Sequence, residues 1–528
     1  MEKRVLLAAV LSGVVVIIWF SLFAPKPPTP PSGAQPSSTA TAGAAPGAPE
    51  APAKPAEAPA VPAGPAVAAE VGQDSAPIAL AGDGWHGTLD PRGAVFSSLV
   101  VDGYKDDKGG PLELVRTGVT PPLSIAAPGA WNEALYKVEH RGGGVQLRWS
   151  DGAGNWVEKR IAPGQGKYGI DVEVRAGGVP ARAGVVIASG IEKALNIEQQ
   201  GRFGGEGAVV RVDGKVERLL AAKLDTVRSL RGAIDFAGVE DQYFLLALLP
   251  NDPVAEVRVS RAGSGPTALP QVVVVGVNGA VSGTIFAGAK DRSIMLGYGR
   301  GLAETLSFGI FGFLSVGFLA ALRWIYGWAG NWGIAIIVLT AGIRILLFPL
   351  NHKSVVAMKR MQAVQPKLKA IQDRYKDRAK KDPNVRARMN QEVMQMYKEQ
   401  GVNPMGGCLP MLVQLPILWA LYSLFAYAIE LRQAPFVFWI HDLAAKDPTY
   451  ITPILMTASM VLQQRMAPQT GDPAQRRMFM LMPFIFGFMF MSFPAGLVLY
   501  WLVNNLFTIG QQLITERMMT ASASAQPK

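Results

Sequence analysis

The stretch NWGIAIIVLTAGIRILLFPLNHK, residues 331–353, contains an apolar run long enough to cross a bilayer and one charged residue within it, Arg344. A transmembrane helix needs about 20 predominantly apolar residues. A guanidinium near the centre of a lipid-facing helix costs from about 2.5 kcal/mol on insertion scales to more than about 10 kcal/mol in simulations, so an arginine there usually has a role. The stretch therefore predicts a membrane-spanning helix in which the arginine has a functional role.

The composition agrees with a membrane protein that has an added soluble part. The chain has 528 residues, of which 49% are hydrophobic and 17% charged, and its mean hydropathy is +0.21. A single cysteine, Cys408, excludes an internal disulfide framework and a cysteine-rich zinc site. The four histidines are scattered without the spacing of metal ligands. We therefore expect neither a metal nor another cofactor.

The first 300 residues divide into three segments. Residues 1–24 begin with Lys3 and Arg4 before a long apolar run without a small-residue cleavage pair, which predicts a signal-anchor transmembrane helix. Residues 25–77 are rich in Pro and Ala and are expected to form a disordered linker. Residues 78–300 contain short β-branched runs broken by Gly, Pro and Asp, which is typical of an all-β sandwich.

The second half of the chain is predicted to form a helical core, residues 331–515. Its five apolar segments, together with the N-terminal anchor, make six transmembrane helices; they are 332–350, 409–429, 450–464, 478–493 and 495–512. The fold class expected is thus a polytopic α-helical membrane protein with a large all-β domain outside the membrane.

Charge decides the topology. The loop 351–407 contains thirteen basic and five acidic residues, so the positive-inside rule places it in the cytoplasm. Lys3 and Arg4 place the N-terminus there too, which requires an even number of crossings before residue 351. Residues 301–330 are therefore predicted to form an amphipathic helix on the outer interface, with Arg323 and its aromatic neighbours near the headgroups. The short tail, 516–528, is then cytoplasmic.

Arg344 allows two interpretations. Its side chain could extend to the inner headgroups and serve only as an anchor. Alternatively, uncharged polar residues of the spans could line a water-filled cavity that leaves the cation free for a visiting group; they are Thr340, Gln414, Ser423, Thr457, Gln463, Gln464, Ser492, Asn504, Asn505 and Thr508. No acidic residue inside a predicted span offers itself as a partner, because Glu430 lies at the outer edge of its span.

The loop 351–407 is predicted to fold as an antiparallel hairpin of two amphipathic helices, since apolar residues recur at helical spacing on both sides of Asp382-Pro383. Its charges could simply be the solvated face of the hairpin. They could also dock an acidic partner such as ribosomal RNA, or anionic headgroups. The candidate docking residues are Lys359, Arg360, Lys367, Lys369, Arg374, Arg386 and Arg388.

No catalytic site is assigned. The β domain contains His86, His140, Glu240 and Asp241, which could form an acid/base site, but isolated polar residues in such a domain are usually structural. An intramembrane hydrolase would need an embedded Asp pair, a Ser/His pair or HExxH, and these patterns are absent from the sequence. A solute transporter is the main alternative function, but it predicts two related halves, and no repeat is visible. A structural assembly scaffold is the other alternative.

Four stretches resemble the membrane protein insertase family that contains bacterial YidC and the mitochondrial oxidase-assembly insertase. They are NWG at 331–333 with Arg344, NPMGGCLPMLVQLPI at 403–417, LRQAPFVFWIHDL at 431–443 and FPAGLVLYW at 493–501. The resemblance covers residues 330–515 and implies a five-helix core with a hydrophilic groove that is open to cytoplasm and lipid. It also implies that 78–300 is a periplasmic supersandwich, related in shape to sugar-binding enzymes but without known catalysis.

The resemblance implies roles for individual residues. Arg344 would attract acidic residues in the translocated segments of newly made membrane proteins. Apolar client segments would slide along the lipid-facing helices, and the groove residues are Arg344, Thr340, Gln414, Tyr500, Trp501 and Asn504. Further partners implied are the Sec translocon, the ribosome with its targeting machinery, and membrane lipids of the bacterial inner membrane.

Two departures from the family pattern limit these expectations. No lipobox cysteine follows the first span, so the lipoprotein form of some relatives does not apply. The tail, ERMMTASASAQPK at 516–528, is short and nearly uncharged, whereas some relatives have long basic tails. Contact with the ribosome is therefore expected to depend mainly on the hairpin.

Overall fold

A computed structural model describes residues 68–524 except 75, 107, 181–182, 193–205, 264–267, 376–381, 403–408 and 467–472. The predicted anchor, residues 1–24, and nearly all of the predicted linker lie outside the described residues. All described residues belong to one compact unit.

The β domain consists of seventeen described strands. They are β1 Ile78–Gly82, β2 Trp85–Asp90, β3 Val95–Lys105, β4 Pro111–Glu113, β5 Lys137–Arg141, β6 Gly144–Ser150, β7 Trp156–Pro163, β8 Gly169–Gly177, β9 Val185–Ser189, β10 Gly207–Val212, β11 Lys215–Leu220, β12 Arg228–Leu230, β13 Ile234–Glu240, β14 Phe244–Pro250, β15 Val254–Ala262, β16 Leu269–Gly276 and β17 Ala280–Ala289.

The strands form three antiparallel sheets. The largest has nine strands in the order β11-β10-β13-β14-β17-β8-β7-β6-β5, and two four-stranded sheets have the orders β12-β15-β16-β9 and β1-β2-β3-β4. Side chains alternate between core and solvent, as in β8, where Ile170, Val172 and Val174 are buried while Asp171 and Arg175 are exposed. Residues of all three sheets share one hydrophobic core. The predicted β-sandwich is therefore confirmed.

One lysine lies inside this core. Lys159, on β7, is fully buried between Val157 and Ile161, where the alternation calls for an apolar residue. Its Nζ donates hydrogen bonds to the carbonyl oxygens of Gly93 at 2.6 Å, Leu123 at 2.7 Å and Ala94 at 3.2 Å. Burial lowers the pKa of Lys159 to about 7. The amine therefore ties the loops before β3 and after β4 to the large sheet.

The helical part contains eight described α-helices. They are α1 Arg292–Tyr298, α2 Gly312–Ala329, α3 Trp332–Tyr375, α4 Pro383–Glu399, α5 Leu409–Tyr427, α6 Ile451–Met466, α7 Pro473–Phe490 and α8 Ala495–Ser524. Only α3 and α8, the latter over Ala495–Thr515, are both long and apolar enough to cross a membrane by those two criteria, within the described residues. The six transmembrane helices stay a prediction.

Two helices continue beyond the predicted spans. The predicted span 332–350 and the first hairpin helix are one helix, α3, of 44 residues. At 1.5 Å per residue it is about 66 Å long, roughly twice the hydrocarbon thickness of a bilayer. The last helix continues to Ser524, so most of the predicted tail 516–528 is helical. Pro349 is a helix breaker one residue before the end of the predicted span, but α3 continues through it.

The segment predicted as an outer interfacial helix, residues 301–330, contains a short 3-10 turn at Leu302–Thr305 followed by α2. Trp324 and Trp328 on α2 are exposed, as an interfacial helix requires. Arg323 is not free to reach headgroups: it forms ion pairs with Glu430 and, at 3.2 Å, with Asp291. Two carboxylates therefore hold its guanidinium, and the position of this segment at the outer interface stays a prediction.

The β domain is fastened to the segment that follows α5. The amide of Gln242 donates to the carbonyl of Ala426, and the guanidinium of Arg432 lies 5.0 Å from the ring centroid of Phe244. Arg432 and Gln433 also donate to the carbonyl of Lys105, at 3.1 Å and 2.8 Å. These contacts fix the outer end of the helical part against the β domain.

The start of α6 provides a prediction about acid stability. Asp447 is buried, and burial alone would raise its pKa, but hydrogen bonds from Thr452 and Thr449 lower the pKa of Asp447 to about 2. A depressed folded-state pKa stabilises the fold above the unfolded value, here by about 2 kcal/mol. That contribution is lost as the pH falls from about 5 towards 2.

We expect Asp447→Asn to lower thermal stability at pH 6. The difference in thermal stability between wild type and the variant should then narrow steadily as the pH is lowered towards 2. Circular dichroism of the full chain in detergent measures both curves. A gap that stays constant over this range would show that the carboxylate charge does not stabilise the start of α6.

Candidate functional site

Arg344 lies on α3, where its guanidinium reaches the last helix. Its Nε donates a 2.7 Å hydrogen bond to the side-chain oxygen of Asn504 on α8. Within the described part of the chain this is its only hydrogen bond, and no carboxylate lies within 4 Å. The side chain is half-buried, whereas the adjacent Ile345 and Leu346 are 70% and 77% exposed. A neutral amide therefore orients the cation without neutralising it.

A second polar contact joins α5 to the same face of α8. Gln414 on α5 donates a 2.6 Å hydrogen bond to the hydroxyl of Tyr500. Tyr500 precedes Asn504 by four residues, so both side chains lie on one face of α8. The structure thus brings together four of the six predicted groove residues, on three helices: Arg344, Asn504, Tyr500 and Gln414.

The other two predicted groove residues lie elsewhere. Thr340 is buried, and its hydroxyl donates to the carbonyl of Ile336 on its own helix at 2.6 Å. Trp501 packs against Phe490, with 5.1 Å between ring centroids, and so contacts α7. Tyr500 is buried as well. Neither Thr340 nor Tyr500 presents its side chain to a client in this conformation.

A polar seam continues from Arg344 along α3 and α8. Four residues after Arg344, the carbonyl of Phe348 accepts a 3.2 Å hydrogen bond from Gln511, and four residues further His352 lies 3.2 Å from the hydroxyl of Thr515. Residue numbers increase together along both helices, so α3 and α8 run parallel. The sequence analysis missed Gln511, His352 and Thr515, although the spacing of eight residues from Arg344 to His352, which places both on one face of α3, was a usable signal.

The hairpin predicted for residues 351–407 is formed by the end of α3 and by α4. Val364, Ile371 and Met396 make its small core. Arg374 pairs with Glu392 at 2.8 Å and Lys367 donates to Gln400 at 3.1 Å, which shows the two helices to be antiparallel. Six of the seven candidate docking residues are exposed; Lys359 is half-buried, and the exposed ones are Arg360, Lys367, Lys369, Arg374, Arg386 and Arg388.

The β domain residues considered for acid/base chemistry do not converge. His86 is exposed and contacts Asp102 at 2.7 Å. Glu240 is buried and paired with Lys290 at 2.7 Å and with Arg218 at 2.7 Å. Asp241 accepts hydrogen bonds from the backbone of Tyr243 and Phe244 and closes the turn between β13 and β14. Across the described ranges, no cluster of three or more His, Cys, Asp or Glu could hold a metal ion.

The fold and the site define a class of protein: a helical membrane protein with a large β domain outside the membrane. Residues 324–522 match the family described as 60Kd inner membrane protein, and residues 78–320 match the YidC periplasmic domain. The chain belongs to the YidC family of inner membrane proteins.

Relatives named membrane protein insertase YidC support this assignment. The protein from Syntrophus aciditrophicus is 41% identical over 368 residues, which cover 67% of this chain and 66% of the relative. The protein from Geobacter sulfurreducens is 35% identical over 389 residues, which cover 72% and 71%. The aligned part thus spans just under two thirds of the Syntrophus protein. A crystal structure of an active YidC insertase aligns with 85% of this chain and 94% of its own, at 18% identity and a TM-score of 0.37.

Proposed function

We propose that this chain inserts newly made proteins into the bacterial inner membrane and assists their folding there. The observation that carries the proposal is the guanidinium of Arg344, half-buried in an apolar helix and held by Asn504 rather than by a carboxylate. A buried charge without an opposite partner is costly, so it is expected to serve a group that visits. Acidic residues of a client's translocated segment are suitable visitors.

In the proposed mechanism Arg344 lies in a hydrophilic groove that is open to the cytoplasm and to lipid. Water in the groove shortens the distance over which a client's polar segment crosses without solvation, and the guanidinium offers that segment a transient partner. Transfer of the client's apolar segment into lipid, worth about 25 cal/mol per Å², then drives insertion. No nucleotide and no catalytic residue are required.

The proposed topology has six transmembrane helices, both termini in the cytoplasm and the β domain in the periplasm. The parallel course of α3 and α8 supports it, because both helices are expected to run from the periplasmic to the cytoplasmic side. The fastening of the β domain to the segment after α5 supports it too, since that segment is expected on the periplasmic side.

The hairpin of α3 and α4 is proposed to receive clients from the ribosome or the targeting machinery. Its exposed basic residues suit an acidic partner, and long-range attraction of this kind raises association rates. Cooperation with the Sec translocon is proposed for clients with large translocated domains. The resemblance to the family implies the ribosome with its targeting machinery and the Sec translocon as partners. The exposed charges of the hairpin support only the contact with the ribosome or the targeting machinery.

The function can be tested by reconstituting the purified full chain in liposomes. A single-span client with a short acidic translocated tail is expected to become protected from external protease in these liposomes and to stay accessible in protein-free ones. Inactivated protein reconstituted at the same density controls for bilayer disturbance. Equal protection with active and inactivated protein would contradict an insertase.

A further inference from the structure

A groove runs between α6 and α7 on the outside of the bundle, away from Arg344. The residues that line it on α6 recur at intervals of three and four from Ile454 to Arg465, and those on α7 recur in the same way. Each helix therefore contributes one face. The volume is about 540 Å³, within the range of about 300 to 1,000 Å³ that is usual for ligand sites.

The floor of the groove is apolar and narrow. A Cβ atom on Gly487 would lie 2.1 Å from the hydroxyl oxygen of Thr457, so the two helices touch there. That hydroxyl donates to the carbonyl of Pro453 at 2.8 Å, which satisfies it within its own helix. The groove therefore offers hydrocarbon surface over almost its whole length, and among the described residues that line it only Arg465, at one end, is charged.

The length and the charge identify the occupant. From Ile454 to Arg465 the helix rises about 16 Å, which is close to half of the roughly 30 Å hydrocarbon core. An exposed arginine at the end of such a groove suits a phosphate group, which guanidinium binds well. We propose that the groove binds one anionic phospholipid of the cytoplasmic leaflet, with the phosphate on Arg465 and an acyl chain along Ala458 and Thr457.

A client helix fits these observations less well. An apolar client segment brings no group that matches the charge of Arg465. The assignment of the lipid to the cytoplasmic leaflet depends on the topology proposed above. The binding of the lipid in the groove does not depend on it.

Native mass spectrometry of the purified full chain in detergent tests the site, with phosphatidylglycerol and phosphatidylcholine of identical acyl chains as probes. Wild type is expected to retain one phosphatidylglycerol about fivefold better than phosphatidylcholine, the selectivity that one arginine near the surface provides. Arg465→Gln should reduce retention of phosphatidylglycerol to that of phosphatidylcholine. Ala458→Phe, which fills the groove from an exposed position, should remove both lipids.

Two variants serve as controls. Leu455→Phe places the same phenyl ring on the exposed surface of α6 outside the groove, and Arg517→Gln removes an exposed arginine from α8; both should retain lipid as wild type does. Equal retention of the two lipids by wild type would overturn the proposal, as would wild-type retention by Ala458→Phe. Because this assay contains no client, failure of insertion in liposomes would contradict the proposed function and leave this site standing.

A photoreactive side chain in place of Ala458 identifies the occupant directly in liposomes that contain phosphatidylglycerol and an added single-span client. Labelling of the phospholipid is the expected result. Labelling of the client in its place would show that the groove guides clients, and would overturn the assignment to lipid.

Discussion

Arg344→Ala is expected to reduce insertion of a client with an acidic translocated tail by about 10- to 100-fold. The guanidinium has only the neutral amide of Asn504 as a partner within the described residues, so its charge is available to the client's carboxylates. A hydrogen bond to a charged group is worth about 1.5–3 kcal/mol, and each 1.4 kcal/mol corresponds to a factor of ten. Arg344→Lys should keep part of the activity, because it preserves the charge but not the planar geometry.

Protease protection in liposomes measures this loss, and Asn504 provides the matched control. Asn504→Asp places a carboxylate where the amide oxygen lies 2.7 Å from Nε, so a permanent ion pair should block insertion about as strongly as Arg344→Ala. Asn504→Ser removes the amide that orients the cation but leaves its charge free, and should insert the client less well than wild type but better than Asn504→Asp. If Arg344→Ala inserted the acidic client as wild type does, the arginine would be a headgroup anchor and the proposed mechanism would be wrong.

Lys159→Met is expected to lower the stability of the β domain by about 3 kcal/mol or more, although methionine has a similar length and is apolar. The substitution leaves three buried carbonyl groups, those of Gly93, Ala94 and Leu123, without their donor. An unsatisfied buried polar group costs about 1–3 kcal/mol. The urea concentration at which pulse proteolysis begins to cut the β domain of the full chain measures the loss.

Lys167 is the matched control for Lys159. Both amines lie over a tyrosine ring, at 5.2 Å for Lys167 and 5.4 Å for Lys159, but Lys167 is exposed. Lys167→Met should therefore change stability by less than about 0.5 kcal/mol. Between about pH 7 and 10.5 the unfolded chain binds more protons than the folded one at Lys159, so the advantage of wild type over Lys159→Met should grow with pH. Equal stability of the two methionine variants would contradict the role of the buried amine.

Apolar runs predicted where the long helices begin. The predicted starts at Trp332 and Ala495 agree with α3 and α8, and that at Tyr450 is one residue before α6. A helix-breaking residue precedes these starts, as Gly330 does before α3 and Pro494 before α8. Because such residues can be recognised in the sequence, the starts could be predicted. The predicted spans end at residues 350 and 512, whereas α3 and α8 continue further, since a helix continues through sequence of good propensity whether or not a membrane surrounds it.

The candidate site was predictable as a set of residues but not as an arrangement. Arg344 is conspicuous because a charge in an apolar run is costly, whereas its contact with Asn504, 160 residues away, depends on the rotation of two helices about their axes. Gln511 donates to the backbone carbonyl of Phe348, and a contact to a backbone carbonyl cannot be predicted from the type of residue that carries it. In the β domain, likewise, alternation predicted strands but could not place β8 next to β17, more than 100 residues later.

The continuity of α3 has a mechanical consequence. Tyr375, at the tip of the hairpin, is 31 residues beyond Arg344 on the same helix, or about 46 Å away along its axis. A tilt of about 5° around Arg344 moves that tip by about 4 Å. A partner that displaces the tip of the hairpin by a few ångströms would therefore tilt the helix at Arg344 by a few degrees. Pro349 and Pro366 lie in this stretch and are the positions where the helix bends most easily. Force applied to the hairpin can thus reach the helix around Arg344 without passing through a loop.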